Sequence, residues 1–102
     1  MRTVKFTRKA RQDLLSIIDY SVLTWGDAQA AKYIDGLEKL ALTLAQSPLL
    51  GRDCSDLGNG LLAFPYEKHQ IYYLVQAHGI SIVRVLHNNM AGNRKLFNDV
   101  TE

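Results

Sequence analysis

Five side chains in this sequence could do chemistry on a phosphate: Arg52, Lys68, His69, Arg84 and His87. Cutting RNA needs a base for the 2′-hydroxyl, an acid for the leaving oxygen and cations for the charge on phosphorus. Arg84 and His87 are three apart in one apolar run, an odd separation that puts them on opposite faces of a strand unless a bulge intervenes. His69 precedes a strand and can lean either way. The residues around them, Tyr72, Tyr73, Leu74 and Val83, are aromatic or aliphatic. No compact set of acid, base and cation is visible, and a histidine at a strand end is more often a hydrogen-bonded structural residue than a catalyst. If the chain is a nuclease, His69, Arg84 and His87 are its candidate catalytic residues. Arg84 needs a partner in any case, because a guanidinium buried without one is costly. That partner is Asp13, Asp19 or the C-terminal acids, or else an acidic protein or the target.

These residues are positioned by the stretch Gln70 to Met90. The runs Ile71–Val75 and Ile80–Leu86 are β-rich and joined by Ala77-His78-Gly79, a hairpin signal. Tyr72 and Tyr73 fall on opposite faces, one for the core and one for an exposed aromatic contact. Before the hairpin, Thr3-Val4-Lys5-Phe6 alternates as a short half-buried strand. Thr7 then stands where a helix cap belongs. Ala10, Leu14, Ile17, Ile18, Ser21 and Trp25 recur at helical spacing, predicting an amphipathic helix of roughly 17 residues closed by Gly26, with Trp25 packed at the turn. Asp27 is placed to cap a second helix, striped by Ala30, Tyr33, Ile34, Leu37, Leu40, Ala41, Leu44 and Ala45 and ended by Ser47-Pro48. So short a link forces an antiparallel helical hairpin. Gly36 inside the second helix points to a close helix–helix approach. Leu49 to Gly60 is irregular, and Gly58-Asn59-Gly60 lacks the lysine and glycine spacing of a phosphate loop, so it is a turn. Leu61–Tyr66 is a short strand that Pro65 confines to an edge or an end. Ala91-Gly92-Asn93 breaks the last strand, and Leu96, Phe97 and Val100 suit a short helix or docked tail. The order strand, helix, helix, three strands and tail predicts an α+β fold (β-α-α-β-β-β), with the hairpin on one face of a small, mostly antiparallel sheet.

The totals set limits. At 102 residues the chain is expected to form one domain, residues 1–102. A net charge of +2 falls short of a typical DNA-binding module. No apolar run approaches the roughly 20 residues of a membrane span, and the N-terminus lacks an apolar leader, so the cytoplasm is the expected address. Cys54 is the only cysteine, which excludes an internal disulfide and a multi-cysteine metal site. No metal or cofactor is expected.

Several local signatures follow one another in a telling order. They are Asp13-Leu14 with Ile17 and Tyr20, Trp25-Gly26 with Gln29-Ala30 and Tyr33, and Pro48-Leu49-Leu50-Gly51-Arg52. Gly60 comes next, before an apolar strand, then His69-Gln70-Ile71-Tyr72-Tyr73, and last Ile82-Val83-Arg84-Val85-Leu86-His87 with Met90. In this the chain resembles the RelE/ParE superfamily of bacterial toxins, within it the ParE branch, over nearly its whole length. The resemblance implies a toxin of a type II toxin–antitoxin pair, hetero-oligomeric with a ParD-like antitoxin that wraps around it, and DNA gyrase as target. RelE-like relatives instead cut messenger RNA on the ribosome, which is the alternative, and a degenerate toxin kept as an antitoxin partner is a third reading. Target contact is expected from Arg84, His87, Met90, Arg94, Lys95 and Phe97. Antitoxin contact is expected from Arg52, Tyr72 and Arg84. Relatives often carry an acid directly after the methionine, whereas this chain has Ala91.

Overall fold

The structure is a computed structural model that describes residues 2–90 and 93–97. Strand β1 (Thr3–Phe6) leads into helix α1 (Arg8–Trp25), and α2 (Asp27–Gln46) follows at once. A 3₁₀ turn (Pro48–Leu50) precedes β2 (Arg52–Asp53), β3 (Leu62–Tyr66), β4 (His69–Gln76) and β5 (Gly79–His87). Further 3₁₀ turns cover Asn88–Met90 and Arg94–Phe97. The sheet order is β1-β5-β4-β3-β2. Only the β1–β5 pair is parallel, so the sheet is mixed but mostly antiparallel, and the class is α+β as the element order predicts.

Helix α1 starts where its cap dictates, since the Thr7 hydroxyl accepts from the Ala10 amide. Its first turn contains no acid, and Arg8 and Lys9 stand at the positive end of the helix dipole. The cap therefore holds this end against its charges. Gly26, at φ +94°, makes the whole connection between the helices, a backbone that other residues adopt at a cost. Asp27 is not the cap of α2. It is the first helical residue, no side chain caps that end, and its carboxylate instead faces the favourable end of the dipole.

Two apolar clusters lie on the two faces of the sheet. Ile17 of α1 and Leu37, Ala41 and Leu44 of α2 pack over Ile71, Tyr73, Ile80, Ile82 and Val85. On the other face Cys54, Leu61, Ala63, Tyr72, Val83 and Leu86 are closed off by Phe97. The helices lie on one face as expected, and the second core covers the other, so the expectation of one exposed tyrosine is corrected: Tyr73 is buried under the helices and Tyr72 in the second core. Burial also pushes the Tyr73 phenol up, and that phenol ties down the Pro48–Leu50 turn by donating to the Pro48 carbonyl at 2.7 Å and accepting from the Gly51 amide at 2.9 Å. Gly36 is not at a helix–helix contact either. A Cβ there would lie 2.2 Å from the Tyr66 hydroxyl, which donates to the Tyr33 carbonyl at 2.8 Å and so pins the end of β3 to α2. The two-residue β2 inside the irregular stretch, pairing with Leu62 and Ala63, carries no legible sequence signal, and Pro65 falls on the part of β3 that β2 leaves open. Val100, Ala91-Gly92 and the C-terminal acids lie outside the described residues.

Candidate functional site

The pairing of β4 with β5 decides where the polar residues go. Tyr72 pairs with Arg84 but Tyr73 pairs with Ile82, so Val83 is an extra residue and β5 bulges there. The bulge lies before Arg84, so the odd spacing to His87 survives and the two side chains part. His87 shares the helix-covered face with its cross-strand partner His69, their rings 5.4 Å apart and edge-on.

Arg84 is consumed by structure. Beyond Ile82 the edge of β5 is no longer paired with β1, and the start of α1 covers it. Thr7 donates its amide to Ile82 and its hydroxyl to the Val83 carbonyl at 3.1 Å. Asp13 accepts the Val85 amide at 3.0 Å and takes Arg84 in a two-pronged pair, Nε and Nη2 each at 2.8 Å. The remaining Nη1 donates to the Leu96 carbonyl at 2.7 Å. One carboxylate thus completes a strand edge and neutralises a charge, and the guanidinium holds the C-terminal segment. The bond to Asp13 raises the Arg84 pKa further, so the cation is permanent.

His69 and His87 instead open into a cleft of about 610 Å³ between α1, the start of α2 and the β3–β4 turn. Ile17, Tyr20, Trp25 and Tyr33 supply apolar walls, and Gln29, Glu67, Lys68 and Asn89 the polar rim. Trp25 does not pack inward as its place in the stripe predicts; it is 65% exposed, and Tyr20 is 66% exposed. Burial, then the neighbouring His87, lower the pKa of His69 and keep it neutral. Burial likewise raises the Tyr33 phenol, with Tyr66 and Glu67 adding to the effect. The two form a hydrogen bond between the Tyr33 hydroxyl and His69 Nδ1. With both groups uncharged, the phenol donates and Nδ1 accepts, which leaves Nε2 of His69 carrying its proton as a donor. His87 Nδ1 is held by the Asn89 side chain at 2.9 Å. The cleft can therefore grip an anionic or polar group between aromatic walls, but His69 is a poor base in this state.

The other expected residues scatter. Arg52 is exposed and bonds Gln70 at 2.9 Å, outside the cleft. Met90, Arg94 and Lys95 are exposed beyond the end of β5. Tyr72 and Phe97 are buried ring against ring, centroids 4.7 Å apart, so the expectation of a partner contact at either is corrected: each is the other's partner. The aromatic walls at Tyr20, Trp25 and Tyr33 are the feature that site reasoning from sequence missed. Trp25 and Tyr33 belong to the two apolar helical stripes, which is why the sequence assigns them to the core and not to a site. Among the described residues no group of three or more His, Cys, Asp or Glu is placed to hold a metal.

Residues 4–92 match the family described as the ParE toxin of the type II toxin–antitoxin system, parDE. This chain belongs to the ParE toxin family. It is 32% identical to Toxin ParE1 of Caulobacter vibrioides over 88% of its length and 93% of that protein's. It is 34% identical to Toxin ParE of Escherichia coli, over 82% of each. Its fold superposes on a solved chain of the chromosomal ParDE system of P. aeruginosa with a TM-score of 0.71 and 26% identity, over 85% of this chain and 96% of that one. A chain of the RelBE2 toxin–antitoxin complex of Mycobacterium tuberculosis, 22% identical with a TM-score of 0.63 over 84% and 96%, shares the fold. As a ParE toxin the chain is the toxic half of a type II toxin–antitoxin pair. The family match takes in the cleft and the Arg84 clamp and stops short of Arg94–Phe97.

Proposed function

We propose that this ParE toxin works by binding and not by cutting, with DNA gyrase as its target and a ParD-like antitoxin as its neutralising partner, in the cytoplasm. The observation that carries this reading is how the polar residues are spent. Arg84, three residues before His87, is bound to Asp13 and Leu96, and His69 offers a proton rather than taking one. A cleft whose His69 is not a free base and whose nearby guanidinium is already paired suits recognition better than phosphodiester cleavage. The target face comprises His87, Met90, Arg94 and Lys95, with Arg84 positioning the C-terminal segment. The antitoxin face comprises Arg52 and the exposed apolar side chains of the helical hairpin, Leu15, Val22, Leu23 and Leu42.

One observation favours the alternative, a ribosome-dependent messenger RNA endoribonuclease: Lys68, His69 and His87 do share one cleft. Growth arrest on expression of the chain separates the two. Binding predicts that His69→Gln keeps the arrest while truncation after Met90 relieves it. Cleavage predicts the reverse, arrest lost with His69→Gln and cut messenger RNA in the wild type.

A further inference from the structure

The charge of this chain is unevenly spread. Its first twelve residues hold five of the twelve Lys and Arg and none of the ten Asp and Glu. The fold does not dissipate this excess. Asp13, the first acid in sequence, is taken by Arg84 and the Val85 amide. At the opposite end of β5 from the two histidines, β1, the start of α1 and the β4–β5 turn enclose a recess of about 470 Å³ lined by Lys5, Phe6, Thr7, Arg11, Gln76, His78 and Ser81. Three of these seven are basic and none is acidic. Arg11 is fixed over the end of β1 by donating to the Phe6 carbonyl, and His78 by donating Nε2 to the Ile80 carbonyl at 3.1 Å. Gln76 accepts from Ser81 at 3.3 Å, so its amide keeps its donors. Two full cations, Lys5 of β1 and Arg11 of α1, therefore share one walled recess with the His78 ring of the β4–β5 turn.

We propose that this recess is a docking site for the sugar–phosphate backbone of duplex DNA. The lining chooses among polyanions. Proteins that hold single strands stack bases on exposed aromatic rings, and the lining here has none, its two rings, Phe6 and His78, being half-buried. The exposed Tyr20 and Trp25 line the other cleft. An acidic peptide would need an apolar anchor in a pocket, and no lining residue is an exposed large apolar side chain. What remains is point charge and neutral donors, which suit phosphate oxygens and read no sequence.

The test is fluorescence anisotropy of a short labelled DNA duplex with the full chain over a range of salt concentrations. Neutralising about two phosphates, one each by Lys5 and Arg11, gives a log–log salt slope of about −2. Lys5→Gln with Arg11→Gln is expected to weaken binding at least about tenfold and to bring the slope close to zero. Lys32→Gln with Lys39→Gln, the same charge loss on α2, is expected to leave affinity within about twofold, as the site predicts. Lys5→Glu alone spares the Arg11 bond to Phe6 and gives the same direction of loss, with unchanged thermal melting. Four results would overturn the proposal: no duplex binding at low salt, equal loss in the two pairs, loss confined to Arg94→Gln with Lys95→Gln, or tighter binding of single-stranded RNA or a polyglutamate peptide than of duplex. Gyrase is absent from the measurement, so its outcome and that of the gyrase reading are independent.

Discussion

Arg84 and His87 sit three residues apart on one strand and do opposite things. Arg84 is 13% exposed in its side chain, meets an Asp13 that is 14% exposed, and engages all three of its nitrogens inside the chain. His87 stands at the mouth of a cleft, held by Asn89 and by the edge of the His69 ring. The difference is made by register. The bulge at Val83 lies before Arg84, so the unbroken register from Arg84 to His87 sends Arg84 toward the start of α1 and the C-terminal segment while His87 keeps the helix-covered face. A cation at a strand end is therefore structural or available according to what crosses its edge, and its residue type does not decide.

The largest break in that contrast is expected from Asp13→Ala. It strips the partner from a mostly buried guanidinium and from the Val85 amide, and about 3 kcal/mol of stability should go, read as a fall in the urea midpoint. His87→Ala is expected to cost under about 0.5 kcal/mol in the same assay. Equal costs would mean that the strand treats both residues alike.

Next in size is the anchor behind the cleft. Gly36→Ala should gain nearly 1 kcal/mol of helix propensity, yet its methyl would meet the Tyr66 hydroxyl. We expect net destabilisation of about 1–2 kcal/mol, shrinking or changing sign in a Tyr66→Phe background, where the nearest ring carbon lies 3.2 Å away. A double-mutant cycle reads it. Without coupling, the β3–β4 turn is not pinned to α2 through Tyr66.

A smaller effect distinguishes the histidines by pH. The folded pKa of His69 lies below its ordinary 6.5, so the unfolded chain binds more protons as pH falls through that value. Stability should then drop below about pH 6.5 and level off once the folded pKa is passed. Chemical denaturation across that range checks the sign, and His69→Gln should flatten the drop. The smallest effect is on Trp25→Ala, exposed at the cleft wall, with a stability change within about 0.5 kcal/mol and a loss of toxicity where the cleft meets the target.

Much of this was legible in the sequence. The apolar stripes, the Thr7 hydroxyl and the Ser47-Pro48 stop located both helices to within a residue or two, because each signal is local and redundant with the next. The central hairpin was equally plain from its β-branched runs. Asp13 is one of several partners that the sequence offers Arg84, and only the approach of α1 to the edge of β5 selects it. The bulge was not legible: Val83 is as good a strand residue as Ile82, and only the pairing with Tyr72 and Tyr73 makes it extra. Trp25 misled for a related reason. Helical periodicity places it near the buried stripe, but it is the last residue of α1, where the chain turns away and nothing lies above it. The second core escaped because its lid, Leu96 and Phe97, arrives from a segment too short to show a period.

The central claim is a toxin that acts by holding its target, and the most direct measurement is a supercoiling and cleavage assay with purified gyrase, plasmid DNA and ATP, with and without the antitoxin. The account predicts lost supercoiling with trapped DNA breaks, both reversed by antitoxin and both weakened by truncation after Met90. Untouched gyrase together with messenger RNA cut on translating ribosomes would contradict it and return His69 and His87 to catalysis.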